Sequence, residues 1–532
     1  MKPPMFFAGP PGGLWGGSPG GRMAAPGLAS VGITLGMAKG FLGGDARLSS
    51  DALLSEPLAG VSTDSRTIAQ GELFVALEGP NFDGNLYAGK ALSKGAMAAL
   101  VSRERRARLL AEGVPEERLI FVGDTLGALG ALARGVRLVL GAKVAAITGS
   151  VAKTTVKELA ALILRTWLGD DRVLWTQGNL NNEVGLPLTL LSAQSSHTHA
   201  VLELGANDFG EIGRLAGIAR PDVALITKVA PAHLMNFKDL EGVARAKGEL
   251  FRALDRGALA VVNLSDPLIA REAESFRGNV VSFGREADGA SYHARAQTTG
   301  NGTANGTKNG KAKGPKRGGP ESQEVLAPNP IEILGPGLPE GGLKVALPLP
   351  GAQGRENALA AAALAMAMGA DPISVKAGLE KASPPPGRGR IIRDPSKGVF
   401  LLDESYNANP ESMRSALGLA RSLGLGSLHV ILGPMLELGD QTEEEHRRLG
   451  LELANIPAET VALVGEHSGI VMEAALSGGL PRERAKRFDD PLEALAFAMG
   501  RAKRGDLLLV KGSHSAGLAG IAREFQRNID AV

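Results

Sequence analysis

The sequence predicts an α/β protein of three domains. A central doubly wound, mostly parallel sheet carries a phosphate loop. A smaller α/β domain precedes it and a Rossmann-like sheet follows. Three observations lead there. Apolar runs that read as strands alternate with helical stretches over most of the 532 residues, the order that a parallel sheet with crossover helices requires. One run, residues 144–147, ends in Thr148-Gly149-Ser150-Val151-Ala152-Lys153-Thr154-Thr155 and gives way to a helical pattern at Val156. A second block of alternating strands and helices begins after Pro384-Pro385-Pro386, which reads as a linker.

Taken in order, residues 1–45 are rich in Gly and Pro without a sustained period, and a disordered tail is expected. The compact segment 46–139 follows. Residues 73–77 (LFVAL) read as a buried strand, and 91–100 as helix then strand. Two polar clusters lie between turns: Thr63-Asp64-Ser65-Arg66 and Asn81-Phe82-Asp83-Gly84. Ser65 and Arg66 suit either an ordinary capped turn or a loop contact to an anion or nucleotide. The central domain is expected over 140–385, with strands at 200–204, 223–227 and 258–263 and an Ala-rich helix at 357–368. Its stretch 299–319 is a low-complexity run of Asn-Gly-Thr and Lys, read as a surface insertion; no aromatics interleave it, which argues against a nucleic-acid patch. The third domain, 386–532, has strands at 399–403, 428–432, 460–464 and 506–510. It lacks the Gly-rich dinucleotide fingerprint, so no NAD site is expected there.

Composition excludes several classes. With 58 basic and 56 acidic residues the net charge is +2, which points to neither nucleic acid nor an acidic surface as a partner. There is no cysteine, so disulfide frameworks and thiolate metal sites are ruled out, in keeping with a reducing compartment. No apolar run approaches the roughly 18 residues that a membrane span needs.

The chemistry is concentrated at strand ends. In the stretch Gly149, Ser150, Val151, Ala152, Lys153, Thr154, Thr155, backbone N–H groups and a helix N-terminus point at an anion. Lys153 would reach terminal phosphates and the Thr154 hydroxyl would sit on Mg²⁺. The strict phosphate-loop pattern has Gly where Ala152 and Ile147 stand, so a chance Lys-Thr-Thr at a helix start is the alternative. Glu203 closes an apolar strand, a costly position for a carboxylate unless it is paired or bound to metal. His233 follows the next strand; alone, it is as consistent with a structural histidine. Lys247 lies in a helical stretch and on pattern reads as solvated. Asn407 and Asn409 follow a strand; they suit an Asn-rich turn, or amide hydrogen bonds to a peptide or adenine.

The ordered set TGSVAKTT, GNLNNEVGLP (178–187), ELGAN, APAHL, AKGELF, DESYNANP, LGPMLELG and VKGSHS resembles the Mur ligase family, the ATP-dependent amide ligases of peptidoglycan precursor synthesis in cell-wall biogenesis, and hence of cell shape and division. The resemblance runs from near Gly60 to near Gly520. The GNLNN and SYNANP motifs point to the dipeptide-adding branch, and the Asp-Asn-Pro-Arg signature of the diaminopimelate- or lysine-adding branch is absent. The resemblance implies a cytoplasmic, monomeric ligase that joins D-alanyl-D-alanine to UDP-N-acetylmuramoyl-tripeptide through an acyl phosphate, using ATP and Mg²⁺. It implies uridine-nucleotide contacts at Ser65 and Arg66, ATP contacts at 149–155 with catalytic Lys153, and adenine or ribose contacts at Asn263, Arg388, Asp403 and Glu404. Substrate contacts fall on Asn179, Asn181, Asn182, Tyr406, Asn407 and Asn409. Thr154 and Glu203 match positions that hold one Mg²⁺, with a second near His233, and Lys247 matches a lysine carbamylated by CO₂. Both His233 and Lys247 would be catalytic.

Some residues depart from the family pattern. Ala152, Glu404, Lys228, Gln353-Gly354 and Asn85 stand where the family has Gly, Asp, often Asn, His-Asn and His. Ala152 fits such a loop if its φ stays negative. Two other functions are alternatives: a folylpolyglutamate-synthetase-like ligase, and a nucleotide-binding protein without catalysis.

Overall fold

A computed structural model describes residues 27–296 and 329–530. The chain divides into two compact units. One takes in the described residues up to Ala146 together with Asp170–Leu204 and Gly213–Asp222. The other takes in Ile147–Gly169, Gly205–Ile212 and the described residues from Val223 onward.

The first unit holds a five-stranded sheet of β1 (Arg47–Leu48), β2 (Gly60–Ser62), β3 (Glu72–Val75), β6 (Ala98–Ser102) and β7 (Leu119–Val122), in the order β1-β7-β6-β3-β2. The hairpin of β4 (Glu78–Gly79) and β5 (Phe82–Asp83) stands apart from it. Its parallel inner strands β6 and β7 are buried along their whole length, which is why they read as unbroken apolar runs rather than alternating ones. Helix Thr125–Leu140 is capped by the Asp124 carboxylate and ends at Gly141 with φ 65°, the left-handed stop that glycine permits.

The expected tail of 1–45 is corrected here for its second part, while residues 1–26 lie outside the described residues. Thr34 caps helix Leu35–Phe41, and Leu28, Ile33 and Leu35 are fully buried. A Cβ at Gly135 would stand 2.1 Å from the Phe41 ring, so the helix carrying Gly135 packs directly on this segment. A Gly- and Ala-rich composition hid a short folded element whose few large side chains are all anchored.

Strand β8 (Lys143–Thr148) leads into the phosphate loop, and helix Lys153–Leu168 begins three residues before the expected Val156. In the first unit β9 (Val173–Trp175) and β10 (His199–Glu203) pair in parallel. In the second, β11 (Val223–Ile226), β12 (Leu259–Asn263), β13 (Asn279–Gly284) and β14 (Tyr292–Ala296) run in parallel neighbour to neighbour. Then β15 (Asn329–Leu334) and β16 (Leu343–Leu347) turn antiparallel. The low-complexity run 299–319 lies outside the described residues. The Ala-rich helix starts earlier than expected, at Gly351, and runs to Met368 with most of its alanines buried.

The C-terminal sheet contains β17 (Arg390–Arg393), β18 (Phe400–Glu404), β19 (Leu428–Leu432), β20 (Ala458–Val464), β21 (Ala485–Phe488) and β22 (Leu507–Lys511), in the order β17-β18-β22-β19-β20-β21. All pairs are parallel except β17 with β18. Alternate residues feed two cores: Leu402, Val430 and Leu509 enter one, and Leu401, Ile431 and Val510 the other. A sheet covered on both faces is the doubly wound arrangement.

Candidate functional site

In the second unit, the loop after β8 is shaped by close backbone approach. Gly149 has φ 144°, and a Cβ there would lie 2.1 Å from Thr227 Oγ1. Thr227 Oγ1 donates to the Val151 carbonyl at 2.6 Å, and Ser150 N donates to the Lys228 carbonyl at 2.7 Å. Asn263 Nδ2 in turn donates to the Thr227 carbonyl at 2.7 Å, so Asn263 braces the strand end beneath the loop. Lys153 Nζ donates to the Gly149 carbonyl at 2.6 Å. Thr154 and Thr155 are buried in the first turn of the helix, where N–H groups have no intrahelical acceptor. The Ser150 hydroxyl is buried without a partner. Donors, an ammonium and a helix N-terminus thus converge in the way that an anion requires.

Ala152 does not keep a negative φ. Its φ is 67° with ψ 1°, the left-handed region, where a Cβ costs on the order of 1 kcal/mol relative to glycine.

Lys247 is a second correction. The helical pattern reads it as solvated, yet it is only 1% exposed. Its ammonium donates to the Ala206 carbonyl at 3.3 Å and lies 5.3 Å from the Phe237 ring centre. Burial, helped by the charge of Lys153 and opposed by Glu211 and Glu249, pushes its pKa down to about 7. The same aromatic ring is met edge-on by His233, with ring centres 6.2 Å apart. His233 Nδ1 is 2.6 Å from Glu437 Oε2, and this contact holds the Glu437 carboxyl below the usual range. The structure therefore brings His233 and Lys247 to one ring.

The first unit places Glu203 at the C-terminal end of β10, 2% exposed. Asn181 Nδ2 donates to Glu203 Oε1 at 2.8 Å, and the Glu203 N–H donates to Thr176 Oγ1 at 2.9 Å. Glu203 Oε2 is buried with no hydrogen-bond partner. Asn182 Oδ1 accepts from the N–H of Gly185, the first residue of the next helix, at 2.8 Å, and Asn179 accepts from Asn181 N through its carbonyl. Ser65 is buried, and Arg66 is exposed and forked onto Asp64 at 2.7–3.1 Å, which holds the Asp64 carboxyl down. Asn85 is fully satisfied: it donates to Glu78 and Asp83 and accepts from Ser102 N.

The third-domain residues form one cluster. Asp403 is buried and accepts from Gly387 N at 2.9 Å and from the Ser405 hydroxyl at 2.6 Å. The Arg388 guanidinium stacks 3.9 Å over the Tyr406 ring. Asn409 is the N-cap of helix Pro410–Ser422 in a reciprocal box with Ser412. Asn407 Oδ1 accepts from Ala408 N at 2.9 Å. Glu404 lies 3.6 Å from Lys511 Nζ, and burial pushes its carboxyl upward. The side chain of Lys228, which follows β11, reaches Glu411 in the first turn of that helix at 2.5 Å.

Sequence reasoning missed Thr227, Thr176, Glu437 and Lys511. The last two sit inside the stretches LGPMLELG and VKGSHS, so their signal was present without an assigned role. Thr176 and Thr227 carry no motif, and only the fold reveals their hydroxyls. Among the described residues, no group of three or more His, Asp or Glu could hold a metal unaided, and no helix is long and apolar enough to cross a membrane.

Comparison with known proteins follows the same map. Residues 57–162 match the Mur ligase family catalytic domain, 147–365 the Mur ligase middle domain, and 387–514 the Mur ligase glutamate ligase domain. The UDP-N-acetylmuramoyl-tripeptide–D-alanyl-D-alanine ligase of Escherichia coli (strain K12) is 35% identical over 476 residues, covering 88% of this chain and 94% of that one. A crystal structure of MurF from Acinetobacter baumannii superposes with a TM-score of 0.76 at 28% identity, covering 93% of this chain and 98% of its own. MurF from Thermotoga maritima, solved in complex with ADP, gives 0.71 at 25% identity, covering 89% and 98%. This chain belongs to the Mur ligase family.

Proposed function

We propose that this protein uses ATP to join D-alanyl-D-alanine to UDP-N-acetylmuramoyl-tripeptide in peptidoglycan precursor synthesis. The likeness to ligases of that name over most of both chains carries the reading. The folylpolyglutamate-synthetase-like and non-catalytic alternatives are not favoured. A reaction that consumes ATP and a UDP-linked substrate fits the cytoplasm, and this reading has it carried out by a monomer.

In the chemistry we propose, the loop 149–155 holds the polyphosphate and Lys153 neutralises charge as it develops. An oxygen of the tripeptide's terminal carboxylate attacks the γ-phosphorus and ADP leaves, giving an acyl phosphate. The dipeptide amine then attacks the acyl carbon, loses a proton, and expels inorganic phosphate. Ser65 and Arg66 face the uridine end, and Asn179, Asn181 and Asn182 the peptide. Asn263, Arg388, Asp403 and Glu404 lie on the nucleoside side, and Tyr406, Asn407 and Asn409 on the dipeptide side.

The residues present suit Mg²⁺, which when bound neutralises phosphate charge. In the second unit the Thr154 hydroxyl, His233 and a carbamate on Lys247 would be ligands for Mg²⁺ ions, and in the first unit Glu203 Oε2 would be one. The unpartnered Glu203 oxygen is the feature that fits: a hard cation takes such an oxygen. An amine with a pKa of about 7 is substantially neutral at physiological pH. Its lone pair can form a C–N bond to CO₂ and release one proton, leaving an anion with two oxygen donors.

The test is phosphate release from ATP with each substrate omitted in turn. The reading requires release only when the UDP-tripeptide and D-alanyl-D-alanine are both present. Release that ignores the dipeptide would refute it.

A further inference from the structure

The third domain buries a cation that the reaction scheme leaves unused. Lys511 is the last residue of β22 and is 2% exposed. It lies in register with Glu404, the last residue of the neighbouring parallel strand β18. Isolated, such an ammonium would carry a large desolvation penalty. Two contacts offset it. Glu404 Oε2 lies at 3.6 Å, and the main-chain carbonyl of Asn407 accepts from Nζ at 2.8 Å. Burial still drives the Lys511 ammonium toward its neutral form, opposed by Glu404.

The position of that carbonyl gives the contact its meaning. It belongs to the connection 405–409 between β18 and helix Pro410–Ser422, and this connection is tethered along its length. Ser405 is bound to Asp403. Tyr406 N donates to the Gly387 carbonyl at 3.1 Å, and its ring lies under Arg388. Asn409 is locked by its capping box. The tether at Asn407 that comes from another element is the Lys511 ammonium. A main-chain contact leaves the Asn407 side-chain amide nitrogen to be aimed while Oδ1 accepts from Ala408 N, and it is indifferent to which side chain Asn407 bears.

We propose that Lys511 is a positioning residue. Held by Glu404, it fixes the Asn407 carbonyl and so sets the loop that presents Tyr406 and Asn407 to the incoming dipeptide. This rests on the function proposed above. It predicts a defect confined to one substrate, because the phosphate loop and the uridine-side residues belong to other parts of the chain.

The experiment uses the full chain at saturating ATP with Lys511→Met, Lys511→Arg and the double variant Glu404→Gln/Lys511→Met. The double variant removes the buried ammonium together with the carboxylate beside it, so neither is left without its partner. KM is measured separately for D-alanyl-D-alanine and for the UDP-tripeptide, with thermal unfolding to verify the fold. The expected result is a dipeptide KM raised about tenfold in Lys511→Met and in the double variant, with the UDP-tripeptide KM within about twofold of wild type. Lys511→Arg should recover most of the loss, since its guanidinium can still donate to the Asn407 carbonyl. An unchanged dipeptide KM in the folded double variant overturns the proposal, as does an equal rise in both KM values. Wild type in the same assay separates the two levels: if it shows no dipeptide-dependent turnover, the functional reading itself has failed.

Discussion

Asn181 donates to one oxygen of the Glu203 carboxylate at 2.8 Å while the other oxygen is buried with no partner. A half-satisfied carboxylate in a protein interior is destabilising unless something else completes it. Glu203→Gln keeps the Asn181 contact and removes the need for a cation. In Mg²⁺-free buffer it should therefore be more stable than wild type by about 1 kcal/mol, read as a higher unfolding temperature. Its phosphate release should fall at least ~100-fold, the loss expected when a ligand of a catalytic ion is removed. A variant that is both less stable and fully active would show that Glu203 serves packing alone.

Ala152→Gly relieves the positive φ of 67°. It should raise stability by about 1 kcal/mol and leave kcat unchanged or slightly higher. A loss on the order of a hundredfold, about 2.7 kcal/mol of barrier, would contradict the loop geometry described here.

The sequence carried the fold well where strands are buried on both faces. Residues 428–432 were placed residue for residue, and the strand before the phosphate loop within one or two positions, because an unbroken apolar run has few alternatives. Local pattern failed where tertiary contact decides. Lys247 lies among Arg245, Glu249 and Arg252 on an amphipathic helix, and nothing in that spacing reveals that Phe237 and Ala206 enclose it. The sign of φ at Ala152 is likewise set by Thr227 and Lys228, which lie more than 70 residues away and grip the loop by hydrogen bonds. The segment 27–45 was lost for a third reason: its burial depends on a glycine, Gly135, that makes room for Phe41.

Deleting 299–319 should leave kcat within about twofold of wild type, since loop closure depends only weakly on loop length. The flanking strands favour this. β14 and β15 are antiparallel neighbours with Ala296 opposite Ile331, so a short connection can replace the run. A folded deletion variant with a large loss of kcat would make the insertion part of the site.

Lys247 gives a pH signature. Its pKa is about 7 in the folded protein, against 10.5 for an unperturbed lysine. Between these values the unfolded chain binds a proton that the folded chain does not, so stability contributed by this group rises with pH across that window and is lowest below pH 7. In CO₂-free buffer, wild type should gain unfolding temperature from pH 7 to pH 9 relative to Lys247→Met; parallel curves would contradict the burial argument. Lys247→Arg, which cannot be carbamylated, should lose most ligase activity. Wild type stripped of CO₂ should slow and recover with bicarbonate.

The central claim is an amide bond made through an acyl phosphate, and isotope tracing tests it most directly. UDP-N-acetylmuramoyl-tripeptide labelled with ¹⁸O in both oxygens of its terminal carboxylate is turned over with ATP and D-alanyl-D-alanine. The released phosphate and the peptide product are then weighed by mass spectrometry. The account predicts one ¹⁸O in each phosphate, one retained in the new amide, and a product heavier by the dipeptide less water. Unlabelled phosphate, or phosphate released without that product, would contradict it.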